Sequence, residues 1–424
     1  MAKRLAALIF IFACTTVAWI ILGSTIMART YDVRSGDLFS RVETNWGTSQ
    51  QQFPPRATWT KTKKRTEDDQ DKQGRHFKRV VEYTDDGKLA IAGSAINVAL
   101  DLEHRQKGLL WYRTYVVDFA ADYRFPNDTN EEQQIVFEFF FPAKATIYDK
   151  LVFEVNGQKV PTSTQERNVI GGSVTGKATL AAGETAVLHV SYQSHGLDTW
   201  HYNFAPGEGV AQVHDFKLHM TTNFKDIDFA ENTLSPTTKR ETPNGWALDW
   251  DYTNLVTGYS LGMVMPEHLQ PGPLAGQISF FAPVSLFFFF FLMFIITTLR
   301  GIDLHPMNYF FLAAAFFAFH LLLAYLVDHI SIHLAFAASS LVSIFLVISY
   351  LRLVVGIRFA AVEAGLAQFV YLVLFSYAFF FKGFTGLGVT IGSIVTLFVV
   401  MQLTGRVDWT AKFAKAAKPE PARA

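Results

Sequence analysis

Six long apolar runs constrain this chain more than any other feature. They are Leu5–Leu22, Ile278–Leu299, Met307–Val327, His333–Leu351, Ala364–Phe381 and Gly383–Leu403. Each is close to the ~20 residues an α-helix needs to cross ~30 Å of hydrocarbon. Hydrocarbon offers the backbone no water, so a crossing segment must satisfy its own peptide groups, which a helix does. The sequence therefore predicts six transmembrane helices, one before and five after a long polar stretch. Lys3 and Arg4 precede the first run. A cleaved signal peptide competes with a retained anchor there. The length of the run and the weak cleavage site after it favour the anchor.

The loop charges predict orientation. Arg300, Arg352, Arg358 and the tail residues Arg406, Lys412, Lys415, Lys418 and Arg423 fall on the side of Lys3 and Arg4. The opposite loops hold Asp328 with His329, and Lys382. Basic residues collect on the cytoplasmic side. Both termini are thus expected inside, with residues 28–277 outside. Lys+Arg and Asp+Glu both number 37, and this balance gives no reason to expect nucleic acid. Cys14 is the single cysteine, which rules out an intrachain disulfide and a Cys-rich zinc site.

The polar stretch alternates apolar and polar residues with period two. Ile135–Phe141 and Leu151–Val155 read as strands, the second running into the turn Asn156-Gly157. Ala186–Tyr192, Val213–Met220 and Trp246–Trp250 read the same way. Arg34–Trp46 reads as a short membrane-proximal helix ending at Gly47, and the mixed-charge stretch Lys61–Arg79 as a solvated loop or hinge. The expected fold class is a membrane α-helical bundle of six transmembrane helices plus an all-β or mainly-β extracytoplasmic domain, sandwich-like. The expected division is an anchor over 1–27, a periplasmic domain over 28–277, a five-helix bundle over 278–410 and a basic cytoplasmic tail over 411–424.

Several local motifs resemble one known family. His305-Pro306-Met307-Asn308-Tyr309 opens the third helix, Asp328-His329-Ile330 marks the next turn, and Arg406-Val407-Asp408-Trp409 closes the sixth. Arg34 through Val42 to Trp46-Gly47 and Gln50 follow the first helix. Together they resemble the CreD family of bacterial inner-membrane, cell envelope integrity proteins. The resemblance implies an N-terminal anchor, a periplasmic domain and a C-terminal helix bundle. It also implies a link to envelope stress, including colicin tolerance and a response tied to β-lactam exposure. It implies no reaction and no functional residues. After Gln50 the chain departs from the family pattern, with Gln51-Gln52-Phe53-Pro54-Pro55 and the charged stretch, as in a divergent branch.

Few residues suggest chemistry. His320 lies in the middle of the third run, where an ionisable group is a functional candidate. The competing reading is a neutral histidine bonded to a helix carbonyl or to Ser339, Ser340 or Ser343 as interhelical glue. Glu363 is expected near the cytoplasmic headgroups, paired with Arg358 or Arg352. Asp328, His329 and His333 cluster at an outer turn, where broken helical spacing argues against a metal site. His189, His195 and His201 would share a face of one straight strand, but Gly196 and Asp198 are expected to interrupt it. No hydrolase, zincin or phosphate-loop motif is present, so no catalytic residue, metal or cofactor is assigned. The expected function is non-enzymatic: an envelope protein that senses or binds something in the periplasm. The alternative is a component of a transporter or channel. The expected partners are the lipid bilayer and a periplasmic or membrane protein.

Overall fold

The computed structural model of the chain describes residues 2–70, 76–107, 110–144, 146–165, 172–205, 209–381 and 383–407. Lys382, Asp408, Trp409 and the basic tail over 411–424 lie outside the described residues. Contacts divide the chain into a helical unit (Met1–Asp37, Gly108–Leu110 and Leu269–Ala424) and a β unit (Leu38–Lys107 and Trp111–His268).

Six helical segments are long and apolar enough to cross a membrane. The first, Leu5–Thr25, lies within helix α1 (Ala2–Trp46). No proline interrupts α1, so the expected separate helix over 34–46 is instead the continuation of one long helix. It stops at Gly47, whose φ of +129° favours glycine. A side chain there would also press on the His195 carbonyl oxygen. The other helices are α2 (Pro271–Phe280), α3 (Ala282–Arg300), α4 (Pro306–Leu326), α5 (Ile332–Val354), α6 (Phe359–Phe380) and α7 (Thr385–Thr404).

The run expected to begin at Ile278 is broken between α2 and α3. Pro283 has no N–H to offer the Ser279 carbonyl four residues earlier. Trp19 on α1 donates its indole Nε1–H to that oxygen at 2.7 Å and stacks on Phe317 of α4 at 4.4 Å. The kink thus creates the acceptor that fastens the first span to the bundle. Helix α6 is irregular, with π-helical stretches over Phe359–Ala364 and Phe369–Leu374 and a 3₁₀ end at Ala378–Phe380.

The β unit is built from sheets that share one core. The largest has eight strands, in the order Gln158–Lys159, Tyr148–Val155, Thr185–Leu197, Thr114–Pro126, Gly93–Leu102, Ala211–Thr222, Trp246–Thr257 and Thr238–Glu241. A five-stranded sheet runs Thr162–Gln165, Ser173–Leu180, Gln133–Phe140, Arg56–Gln70 and His76–Leu89. Aromatic residues meet between the two. Phe119 lies 6.0 Å from Phe139, and Phe125 lies 5.6 Å from Phe137. Large aromatic side chains each remove ~150–250 Å² from water, which lets this core stand without disulfides. The expected mainly-β, sandwich-like class is thus what the chain adopts, and Asn156-Gly157 forms the expected turn, with φ of +52° and +74°.

Two local expectations are corrected. Within Lys61–Arg79 the described residues are paired strands, not a loop, while 71–75 lie outside the described residues: Arg56–Gln70 and His76–Leu89 pair in register from Ala57↔Leu89 to Gln70↔His76. Only Arg56–Trp59 also pairs with Gln133–Phe140, so most of the ribbon is wet on both faces and lacks the alternation of a half-buried strand. Its mixed charges meet across the pair, as in Lys63–Asp85 (2.7 Å) and Lys64–Glu82 (2.9 Å). Gly196 does not interrupt its strand either. It sits opposite Tyr115 and leaves room for that ring, while Asp198, at φ +64°, carries the chain into a three-stranded sheet at Thr199–Tyr202.

Candidate functional sites

In the helical unit the polar side chains converge on α4, α5 and α6. Gln368 Nε2 donates to Ser343 Oγ at 2.9 Å, and Ser343 Oγ donates to the Ala315 carbonyl at 2.7 Å. One side-chain pair therefore ties three helices together. His320 is fully buried and lies beside Trp19 (5.5 Å), Phe316 (5.7 Å) and Phe319 (4.8 Å). It does not make the bond expected of it. Neither ring nitrogen has a partner among the described residues. Ser343 is committed to Ala315, Ser340 bonds the Phe336 carbonyl of its own helix, and Ser339 Oγ is itself unpaired. Gln368 Oε1 and Glu363 Oε2 are also buried without a partner. Leaving such groups unpaired costs about 1–3 kcal/mol each, against a total stability of roughly 5–15 kcal/mol. Five such atoms on three helices make this the most costly polar cluster of the helical unit.

Glu363 pairs with Arg300 at the end of α3, not with Arg352 or Arg358. The π-helical first turn of α6 carries it, which alters the side-chain direction that ordinary helical spacing would give. Asp328 and His329 are exposed in the turn between α4 and α5, where they are not brought onto His320. His333 opens α5 against Phe380. Among the described residues no three His, Cys, Asp or Glu side chains form a metal-sized group. At the α3–α4 turn, Thr297, Asp303 and Tyr309 help wall a cleft of about 140 Å³.

A second candidate lies on the outer face of the eight-stranded sheet. Outward positions alternate along each strand, and at its centre they are small: Ala99, Ala120 and Ser191. Larger polar groups flank them, leaving a groove of about 350 Å³. On one side, Gln193 Nε2 donates to Asp118 Oδ1 at 2.9 Å. On the other, His219 Nδ1 lies 2.5 Å from Asp249 Oδ1, an arrangement that orients the imidazole beside Asn97. This bond is the first cause, ahead of one from Thr238, that holds the Asp249 carboxyl below its ordinary range. Lys150 closes one end. It sits in a bulge, where Lys150 and Leu151 face Tyr192 alone, and its φ is +55°. Bulges and non-glycine residues at positive φ recur where a strand must re-aim a side chain. Just beyond the groove, burial, then Asp118, then Glu103 raise the Asp101 carboxyl above its ordinary range.

Sequence reasoning did not find this groove, because its residues come from five strands. The three histidines that it did raise are dispersed. His189 lies 2.7 Å from Asp122, His195 packs on Trp46 at 4.0 Å, and His201 belongs to the three-stranded sheet, where burial lowers its pKa.

Comparison with known proteins agrees with the architecture. Among solved structures, a protein of Legionella pneumophila described as a nutrient binding protein aligns at 11% identity and a TM-score of 0.30, covering 47% of this chain and 73% of that one. Native leukotriene A4 hydrolase of Saccharomyces cerevisiae aligns at 7% identity and a TM-score of 0.25, covering 42% of this chain and 29% of that one. Superpositions this loose carry no argument. No curated protein matches the sequence. The family described as inner membrane protein CreD, however, matches residues 1–410, nearly the whole chain. With six apolar spans and a mainly-β unit, this chain belongs to the CreD family of inner membrane proteins.

Proposed function

We propose that this CreD-family protein is a non-enzymatic component of the cell envelope. Its β unit faces the periplasm and binds a ligand or a partner protein there, and its helices hold that unit at the membrane. The groove on the eight-stranded sheet carries the reading. It offers a carboxylate, an ammonium, an oriented imidazole and two side-chain amides over a floor of small residues. Recognition sites commonly place a few polar groups in this way on a rigid scaffold. The orientation rests on the basic loops, as does the assignment of residues 28–277 to the periplasm and of both termini to the cytoplasm. Enzyme reporters active only outside the cytoplasm should be silent when fused at Gly301 or Gly356 and active between Lys61 and Asp69.

Binding is tested by a photocrosslinking residue at Ala120, captured in living cells. Specific adducts that are lost in an Asp118→Ala, His219→Ala variant support the groove. Adducts unchanged by those substitutions count against it. A role in envelope integrity predicts altered sensitivity to β-lactams, detergents and colicins on deletion. Wild-type behaviour in all three would remove that role. The second reading, a component of a transporter or channel, draws support from the unpaired polar atoms in α4–α6. Solute flux in proteoliposomes, abolished by His320→Ala, would favour it.

A further inference from the structure

We infer that the β unit carries a second recognition site, a cavity walled by Gln51, Asn203, Asn232 and Tyr259 that takes an uncharged saccharide. This goes beyond the binding role proposed for the groove on the eight-stranded sheet. The two share no lining residue, and neither depends on the other. The cavity measures about 420 Å³. That lies within the range of about 300–1,000 Å³ usual for small-molecule sites.

Segments distant in the chain assemble the walls. Gln50–Gln52 is a short strand whose side chains point in, out and in, so Gln51 faces outward between two buried glutamines. That strand pairs with Thr199–Tyr202, and Asn203 extends the pairing by donating its N–H to the Gln52 carbonyl at 2.8 Å. Backbone bonds fasten the opposite wall. The Leu234 N–H donates to the Ser260 carbonyl at 2.8 Å, and the Ser260 N–H donates to the Asn232 carbonyl at 3.3 Å. Asn232 sits at φ +58°. Non-glycine residues held in that left-handed region cluster at ligand sites. Phe204 backs the cavity and packs on Phe216 at 5.0 Å and on Tyr202 at 5.7 Å, which ties the wall to the hydrophobic core.

The lining selects the ligand. Gln51, Asn203 and Asn232 bring amides, each with both donors and an acceptor. Glu231 adds a carboxylate, and none of the four side chains is committed to a protein partner among the described residues. Sugar hydroxyls donate and accept at once, so amides and a carboxylate match them. A sugar ring also has an apolar C–H face. Tyr259, 55% exposed, offers an aromatic surface to cover it. Among the described residues no lysine or arginine lines the cavity, so an anionic ligand would meet Glu231 uncompensated. A wholly apolar ligand would bury the amides without partners.

The test uses the full-length protein in lipid nanodiscs, so that no glycoside detergent competes. It is applied to an array of uncharged, amino and acidic glycans that includes maltose, cellobiose and chitobiose, and positive sugars are then titrated in solution. At least one uncharged glycan should bind, and its Kd should rise at least tenfold in a Gln51→Ala, Tyr259→Ala variant. Gly258→Leu should weaken it as much by filling the cavity wall. A side chain at Gly258 would meet only the Gly209 carbonyl oxygen, at 3.8 Å, so that variant has room to fold. Both variants should melt within about 2 °C of the parent, as substitutions in open surface positions do. The Asp118→Ala, His219→Ala variant of the groove should bind the glycan unchanged. Binding of no uncharged glycan, binding of acidic glycans alone, full affinity in either cavity variant, or loss of binding in the groove variant would overturn the assignment.

Discussion

Gly196→Ala should destabilise the β unit strongly, although it adds a single methyl group to a strand. A Cβ at this position would lie 2.2 Å from Tyr115 Cζ and 2.3 Å from its hydroxyl oxygen. Carbon atoms settle at about 3.5–4.0 Å, so the ring must move by more than about 1 Å. Tyr115 has nowhere simple to go. It is fully buried, and its hydroxyl donates to the Thr199 carbonyl at 2.7 Å. Overpacking costs about 1–3 kcal/mol, and breaking the buried hydrogen bond adds about 1–3 kcal/mol. For a unit of this size each kcal/mol moves the midpoint by about 2–4 °C, so the expected fall is about 5–20 °C. The assay is thermal unfolding of the full-length protein in detergent, followed by its far-UV β signal. Tyr115→Leu in the Gly196→Ala background should recover part of the loss, giving a coupling of about 1 kcal/mol or more. A midpoint shift below about 2 °C, or strictly additive effects of the two substitutions, would show that Tyr115 yields freely and that the clash argument is wrong.

Three further outcomes are expected. Asp101→Asn should raise the melting temperature at neutral pH, because burial and the charges of Asp118 and Glu103 disfavour the native carboxylate. With its native pKa above the unfolded one, Asp101 penalises folding once ionised, so the gain should fade as pH falls below the ordinary Asp range; a pH series of melting curves checks this. Arg300→Ala should destabilise the bundle more than Glu363→Gln, because it strands a half-buried carboxylate, and the double variant should recover part of the loss in thermal melts. Lys150→Gly should leave stability equal or higher by up to about 1 kcal/mol, since it relieves a positive φ, while reducing adducts captured from Ala120; a clear loss of stability would contradict the bulge geometry.

What could be read from the chain follows from how each signal is encoded. The apolar spans are local and long, so their number and approximate extent were legible without any structure. The period-two segments Ile135–Phe141 and Leu151–Val155 were legible because one face is buried and the other wet. The Arg56–Gln70 and His76–Leu89 ribbon was not, because both faces are wet over most of its length and no hydrophobic alternation marks them. Gly196 looked like a breaker because a sequence cannot show the tyrosine that needs its empty space. The partner of Glu363 was misplaced because ordinary helical spacing was assumed where α6 begins in π geometry.

Sequence alone determined that the chain crosses a membrane and carries a separate β-rich unit, because the transfer cost of peptide groups and apolar side chains depends on composition over short windows. Tertiary structure decided which side chains meet. The groove on the sheet joins five strands that are distant in the chain, and the Gln368–Ser343–Ala315 bonds join three helices. Their chemistry comes from pairings across elements, and no single stretch of sequence contains both partners.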